Sequence, residues 1–191
     1  MIINENKPKT MSFNYTNNYQ FSTNLKINEK DIDVIDSTRL LGTIIQKDLR
    51  WDLNTRQLVK KANARMEILR RVSSFGAPIQ DLKEIYILFI RSLLEQSATV
   101  WHSSLTQENA EDLERVQKIA LRIILKDQYQ TYKKALAKIG LDKLSDRREK
   151  MCLIFAQKCT KNPKTSHMFP EKKKLHTMNT RNPEKFEVQP A

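Results

Sequence analysis

Hydrophobic positions change period once along this chain, near residue 51. Before that point they alternate or form short β-branched runs, Thr10 to Phe13, Phe21 to Ile27, Ile32 to Ile35 and Leu40 to Ile45, separated by clusters of Asn, Lys and Asp. Such runs predict strands of a small antiparallel sheet. Gly42, inside the last run, predicts a bulge or a close backbone approach. The same alternation puts Asp31 and Asp33 on a solvated strand face. A metal site needs oxygens converging from several directions, so these two and Asp36 are read as surface carboxylates.

After Trp51 the period becomes that of a helix. Asp52 is a candidate N-cap for a helix of about 20 residues through Leu58, Ala62, Met66, Leu69 and Val72, stopped by Gly76 and Pro78. The next segment has the cleanest apolar stripe in the chain: Leu82, Ile85, Tyr86, Phe89, Ile90, Leu93 and Leu94. That spacing predicts a central packing helix with Tyr86 and Phe89 in the core and Trp101 closing the core at its end. Thr106 caps a third helix whose apolar side is Leu113, Val116, Ala120, Ile123 and Ile124, with Asn109 at the third helical position. A short fourth helix spans Thr131 to Ile139 before Gly140, and a fifth runs from Asp142 to about Thr160. Leu144, Arg148, Met151, Cys152, Phe155 and Cys159 fall on one side of that last helix.

The pattern therefore predicts an α+β, mainly α chain. A small N-terminal antiparallel β-sheet occupies residues 1–50, about five α-helices occupy 51–160, and an extended, disordered basic tail occupies 161–191. With 191 residues and 39% hydrophobic content there is enough apolar material to bury a core. No run approaches the ~18 apolar residues of a membrane span, and the N-terminus lacks a signal peptide's apolar core, so an intracellular protein, nuclear or cytoplasmic, is expected with no membrane partner.

Charge changes the picture more than composition does. The 34 Lys and Arg outnumber 22 Asp and Glu for a net charge of +12, which makes DNA or RNA the leading partner. From residue 53 onward the first helix carries Arg56, Lys60, Lys61, Arg65, Arg70 and Arg71 against a single acid, Glu67. Mixed signs are usual on a merely solvated face. On the third helix, Arg115, Lys118, Arg122 and Lys126 project along one face as a second basic stripe, diluted by Glu111, Glu114 and Asp127. Lys172 to Lys174 could act as a nuclear-import signal or as plain charge on the tail.

Candidates for chemistry are few. Cys152 and Cys159 lie seven apart, so on one helix their Cα atoms stand ~10 Å from each other, too far for a disulfide. With His167 they still lack a fourth zinc ligand. His102 has no Ser or Cys nucleophile and acid at a recognisable spacing and is read as a helix-end residue.

Lys9-Thr10-Met11-Ser12-Phe13, then Leu41-Gly42-Thr43-Ile44-Ile45 and Leu49-Arg50-Trp51, resembles the segment after the catalytic motif in reverse transcriptases of non-LTR retrotransposons. Val100-Trp101-His102-Ser103-Ser104-Leu105-Thr106, Leu113-Glu114-Arg115-Val116-Gln117-Lys118 and Leu144 through Arg147-Arg148 resemble the carboxyl-terminal region of the same reading frames. The resemblance runs in order over nearly the whole chain. It implies that Lys9 lies beside the incoming nucleotide, that Leu41 and Gly42 form the turn holding the primer end, and that the Leu53 to Ser74 helix belongs to the thumb. These are template-primer contacts.

The resemblance also implies where catalysis would sit. The family's paired, magnesium-binding aspartates lie in an Ala-Asp-Asp segment upstream, and this chain contains no such run. The expected role is thus a remnant with residual backbone-directed binding, no cofactor of its own, both ends truncated, and the palm and fingers of a longer polypeptide as a possible partner. Leu40 in place of the family's aromatic, Gln96 in place of Tyr and Lys126 in place of Gly mark a diverged copy. The alternative is a helical interaction or scaffold module whose charge serves solubility alone.

Overall fold

The computed structural model describes residues 8–13, 25–27 and 30–168. The N-terminal strands form three separate two-stranded ladders. β1 (Lys9–Thr10) pairs with β4 (Asp33–Val34), β2 (Lys26–Ile27) with β3 (Lys30–Asp31), and β5 (Ser37–Leu40) with β6 (Thr43–Gln46). The last two are antiparallel as expected, but β1 and β4 run parallel, with Lys9 opposite Asp33. Alternation alone carries no information about pairing direction, which is why one sheet was expected. The Phe21 to Asn24 part of an expected strand lies outside the described residues, as do Lys172 to Lys174.

The Leu40 to Ile45 run folds as a hairpin instead of one strand. Leu40 pairs with Thr43, leaving Leu41 and Gly42 as a two-residue loop with φ of 48° and 88°. Positive φ at both loop positions is the turn whose twist matches the flanking strands, and Gly meets it without strain. The expected close approach at Gly42 is present: a Cβ there would stand 2.5 Å from Nε2 of Gln96, which donates to the Leu41 carbonyl at 3.4 Å.

This hairpin caps α1 (Asp52–Ser74). The Leu53 N–H in the first turn donates to Gln46 Oε1 at 3.0 Å, and the Ile44 N–H donates to Asn54 Oδ1 at 3.1 Å. Asp52 is therefore not the N-cap. It begins the helix, and its carboxylate accepts from Asn109 Nδ2 at 2.7 Å and pairs with Arg50 at 3.0 Å. Leu58, Ala62, Met66 and Leu69 are buried as the apolar spacing predicts, and the helix stops before Gly76, whose φ is 80°.

The second helix contains a change of pitch. α2 (Ile79–Ile85) runs through a π turn (Tyr86–Arg91) into α3 (Ser92–Leu94). A π turn is wider than an α turn, so residues four apart stay nearly in line: Leu82, Tyr86, Ile90 and Leu94 are all buried. Phe89 was expected in that stripe, yet the wider turn swings it out, leaving it 52% exposed beside Leu88 at 65%. Trp101 does close the core, but from α4 (Ala98–Trp101), a separate short helix set off by Ser97 at φ 54°. Its indole donates to the Gln96 carbonyl at 2.9 Å.

Thr106 caps α5 (Gln107–Leu125) as predicted, its hydroxyl accepting from the Asn109 N–H at 3.2 Å. α5 lies parallel to α1. The start of one helix joins the start of the other through Asp52 and Asn109, and the ends meet where Ser73 Oγ donates to the Ile123 carbonyl and Lys126 Nζ to the Ser73 carbonyl, at 3.2 and 2.7 Å. α6 (Tyr132–Ile139) begins at a Thr131 cap and ends at Gly140 with φ 68°. α7 (Leu144–Lys161) buries Leu144 and Arg148, but Leu153, Ile154 and Phe155 are exposed. Phe155 was expected on the covered side. Asn162 to Met168, grouped with the tail by composition, fold back instead, with Thr165 Oγ1 donating to the Cys159 carbonyl at 2.8 Å.

A polar chain runs through the middle of this bundle. Tyr86 donates to Gln117 Oε1 at 2.5 Å, while Gln117 Nε2 donates to Tyr132 Oη at 2.8 Å and to the Asp142 carbonyl at 3.0 Å. Tyr132 in turn donates to Glu114, whose carboxylate also accepts the Leu144 and Ser145 N–H groups at 3.3 Å. A carboxylate from α5 thus supplies the cap that α7 lacks in its own sequence, at the end of the helix where negative charge is favourable. Replacing Gln117 with Leu leaves both tyrosine hydroxyls and the Asp142 carbonyl short of a partner. A loss of about 2–4 kcal/mol in unfolding free energy is expected by urea denaturation, against about 1 kcal/mol for Tyr86→Phe.

Candidate nucleic-acid interface

The basic residues of α1 divide between two faces. Arg56 and Lys60, one turn apart, point away from the Leu58 to Leu69 stripe and are exposed. Arg70 and Arg71 share that outer side and are partly neutralised by Glu67, at 3.4 and 3.6 Å. Lys61 and Arg65, one turn apart, lie on a second face, from which Arg65 donates to the Phe89 carbonyl of the π turn at 2.6 Å. The wide turn leaves that carbonyl open to a side-chain donor. Arg65 is thereby a clamp between α1 and the π turn, with part of its donor capacity spent inside the protein.

The α5 stripe is more ordered than its sequence suggests. After Leu125 the chain turns back through a short 3₁₀ helix (Lys126–Gln128), which lays Tyr129 and Tyr132 along the same side as the basic residues. Lys118 Nζ lies 5.4 Å from the centre of the Tyr132 ring, and the Arg122 guanidinium lies 5.4 Å from that of Tyr129. Arg115, one turn before Lys118, is exposed and paired with Asp112 at 2.7 Å. Lys126, the fourth residue of the expected stripe, leaves it: its backbone adopts φ 48° and its ammonium reaches the Ser73 carbonyl.

Lys9 and the Leu41-Gly42 turn belong to separate ladders. Lys9 is exposed opposite Asp33, and Leu41 projects from its turn at 89% exposure. Among the described residues no group of three or more His, Cys, Asp or Glu could hold a metal ion, and both cysteines are free thiols. No described helix is long and apolar enough to cross a membrane.

From the sequence Glu114 was read only as an acid diluting the stripe and Gln117 only as part of the family-like run, while Tyr129 and Tyr132 were not singled out. Gln117 carried a signal: it stands four after Leu113, inside the apolar side of its helix, where a polar residue must find partners. The tyrosines carried none, because their positions depend on the reversal at Lys126.

The remaining site of interest lies under α7. Arg148 is fully buried against the Trp101 ring, 5.8 Å from its centre, and its Nε donates to His102 Nδ1 at 3.4 Å. Its two terminal nitrogens have no hydrogen-bond partner among the described residues. Glu114 and Glu95 offer charge compensation from a distance, and Glu95 is itself held by Arg147 through two bonds of 2.6 and 3.2 Å. His102 is driven below its ordinary value of 6.5 first by burial and then by the Arg148 charge.

Comparison with known protein families, curated proteins and solved structures found no match for this chain.

The depressed imidazole makes stability depend on pH in a defined direction. The unfolded chain protonates His102 first, so its contribution is complete above about 6.5 and is lost as pH falls through that value toward the lower folded one. Denaturant midpoints are expected to fall between pH 7.5 and pH 5. In His102→Gln that part of the decline should disappear; a slope equal to wild type would assign the titration elsewhere.

Proposed function

We propose that the chain is a remnant of a retrotransposon reverse transcriptase, comprising the end of the palm, the thumb and the downstream helical region, that binds nucleic acid through its backbone and has no catalytic centre of its own. The observation that carries the reading is the pair of basic rows on two parallel helices, Arg56 and Lys60 on α1 and Arg115, Lys118 and Arg122 on α5. Arg56, Lys60 and Lys61 have no ion-pair partner among the described residues. Exposed cations in rows suit a regular array of phosphates, which positions a protein without reading sequence. The two-residue turn at Leu41-Gly42 supports the reading further, since a hairpin tip there could approach a primer end. DNA or RNA is the partner, and the palm and fingers of a longer polypeptide would complete the polymerase.

Each phosphate contact releases counterions, so affinity should fall steeply with salt. Titration of a labelled duplex should give a negative slope of log affinity against log salt. Arg56→Ala with Lys60→Ala should reduce its magnitude by roughly 2. Absence of binding at low salt would remove the nucleic-acid reading. The second reading, a protein-interaction module, is favoured by the consecutive exposed residues Leu153, Ile154 and Phe155 on α7. Under that reading the chain should elute from heparin with unrelated proteins of similar charge, whereas the rows predict later elution.

A further inference from the structure

We infer that the α5 surface prefers single-stranded nucleic acid, with an unstacked base lying on the outer face of the Arg122 guanidinium and phosphates on Lys118 and Arg115. The inference rests on the nucleic-acid reading above and deepens it. Tyr129 packs against the core with part of its ring, and Arg122 covers another part at 5.4 Å while remaining exposed itself. An arginine held over a ring has lost much of the side-chain freedom that binding would otherwise remove. Its second face is a flat cationic surface open to solvent, and guanidinium planes stack unpaired bases. A base locked in a duplex cannot reach it.

The neighbouring groups suit a strand that follows this contact. Lys118 stands one turn from Arg122 and Arg115 one turn further, giving a row of ~10 Å along the helix at 1.5 Å per residue. Lys118 is likewise held over an aromatic ring, and the hydroxyl of that ring is anchored by Gln117 and Glu114. The row is therefore fixed to the core at two points, whereas Arg56 and Lys60 on α1 stand over no ring among the described residues. The α1 row offers charge alone and suits single strand and duplex equally. The α5 row adds a stacking surface that only a strand with free bases can use.

Anisotropy titrations of the full chain with a labelled 20-nucleotide oligothymidine and a 20-base-pair duplex test the assignment. Arg122→Lys keeps the charge and removes the plane; Tyr129→Leu keeps an apolar anchor and removes the ring beneath the guanidinium. Both variants should bind the single strand about 3–10-fold more weakly, with duplex affinity changed less than twofold and the salt slope unchanged. Circular dichroism melts identify a variant that has lost its fold, and the other variant then decides. If wild type binds single strand and duplex but both folded variants bind oligothymidine like wild type, the stacking assignment is overturned while the backbone-binding reading stands. If wild type binds neither at low salt, both fall.

Discussion

The rest of the bundle depends on satisfying the polar groups around Gln117. This side chain is fully buried on α5, between apolar neighbours, and an amide left dry there would cost several kcal/mol. It is met from three directions: the Tyr86 hydroxyl on the π turn, the Tyr132 hydroxyl on α6, and the Asp142 carbonyl before α7. Glu114 extends the chain from Tyr132 to the first N–H groups of α7. Apolar packing is non-directional and would tolerate several arrangements of α6 and α7 on α5. The hydrogen bonds select one, because shifting either element would strand a buried donor or acceptor.

That selection reaches the surface. Tyr132, bonded to Gln117 and Glu114, lays its ring beneath Lys118, and the same reversal of the chain brings Tyr129 beneath Arg122. The order of the basic row is thus inherited from the core. The π turn acts in a comparable way: it keeps Tyr86 and Ile90 buried, turns Leu88 and Phe89 outward, and frees the carbonyl that Arg65 holds. Among the described residues Arg148 is the one fully buried cation, and its near neighbours are an indole ring and an imidazole nitrogen. Two of its nitrogens have no hydrogen-bond partner among the described residues, and its charge adds to burial in disfavouring a protonated His102.

Local chemistry and periodicity sufficed for much of the fold. The change from period two to a helical period near Trp51, the cap at Thr106, the short helix before Gly140, the stop at Gly76, and the buried faces of α1 and α5 are all present where the residues place them. Each rests on neighbours within one turn, where side-chain type and spacing decide the outcome. The basic character of α1 and α5 was equally readable, since which residues share a helix face follows from spacing alone.

Tertiary structure decided what depends on distant partners. The cap of α1 comes from Gln46 and that of α7 from Glu114, so Asp52 was free to bind Asn109 instead. Whether Leu41-Gly42 bulges or turns depended on pairing Leu40 with Thr43, and the direction of the β1–β4 ladder on residues more than 20 apart. Phe89 left the core because a π turn, with more residues per turn than an α turn, carries the residue three after Tyr86 well off the buried face. Sequence spacing showed which cations share a face; only contacts across the chain showed which are held over rings, which are bound to carbonyls, and which remain open to a partner.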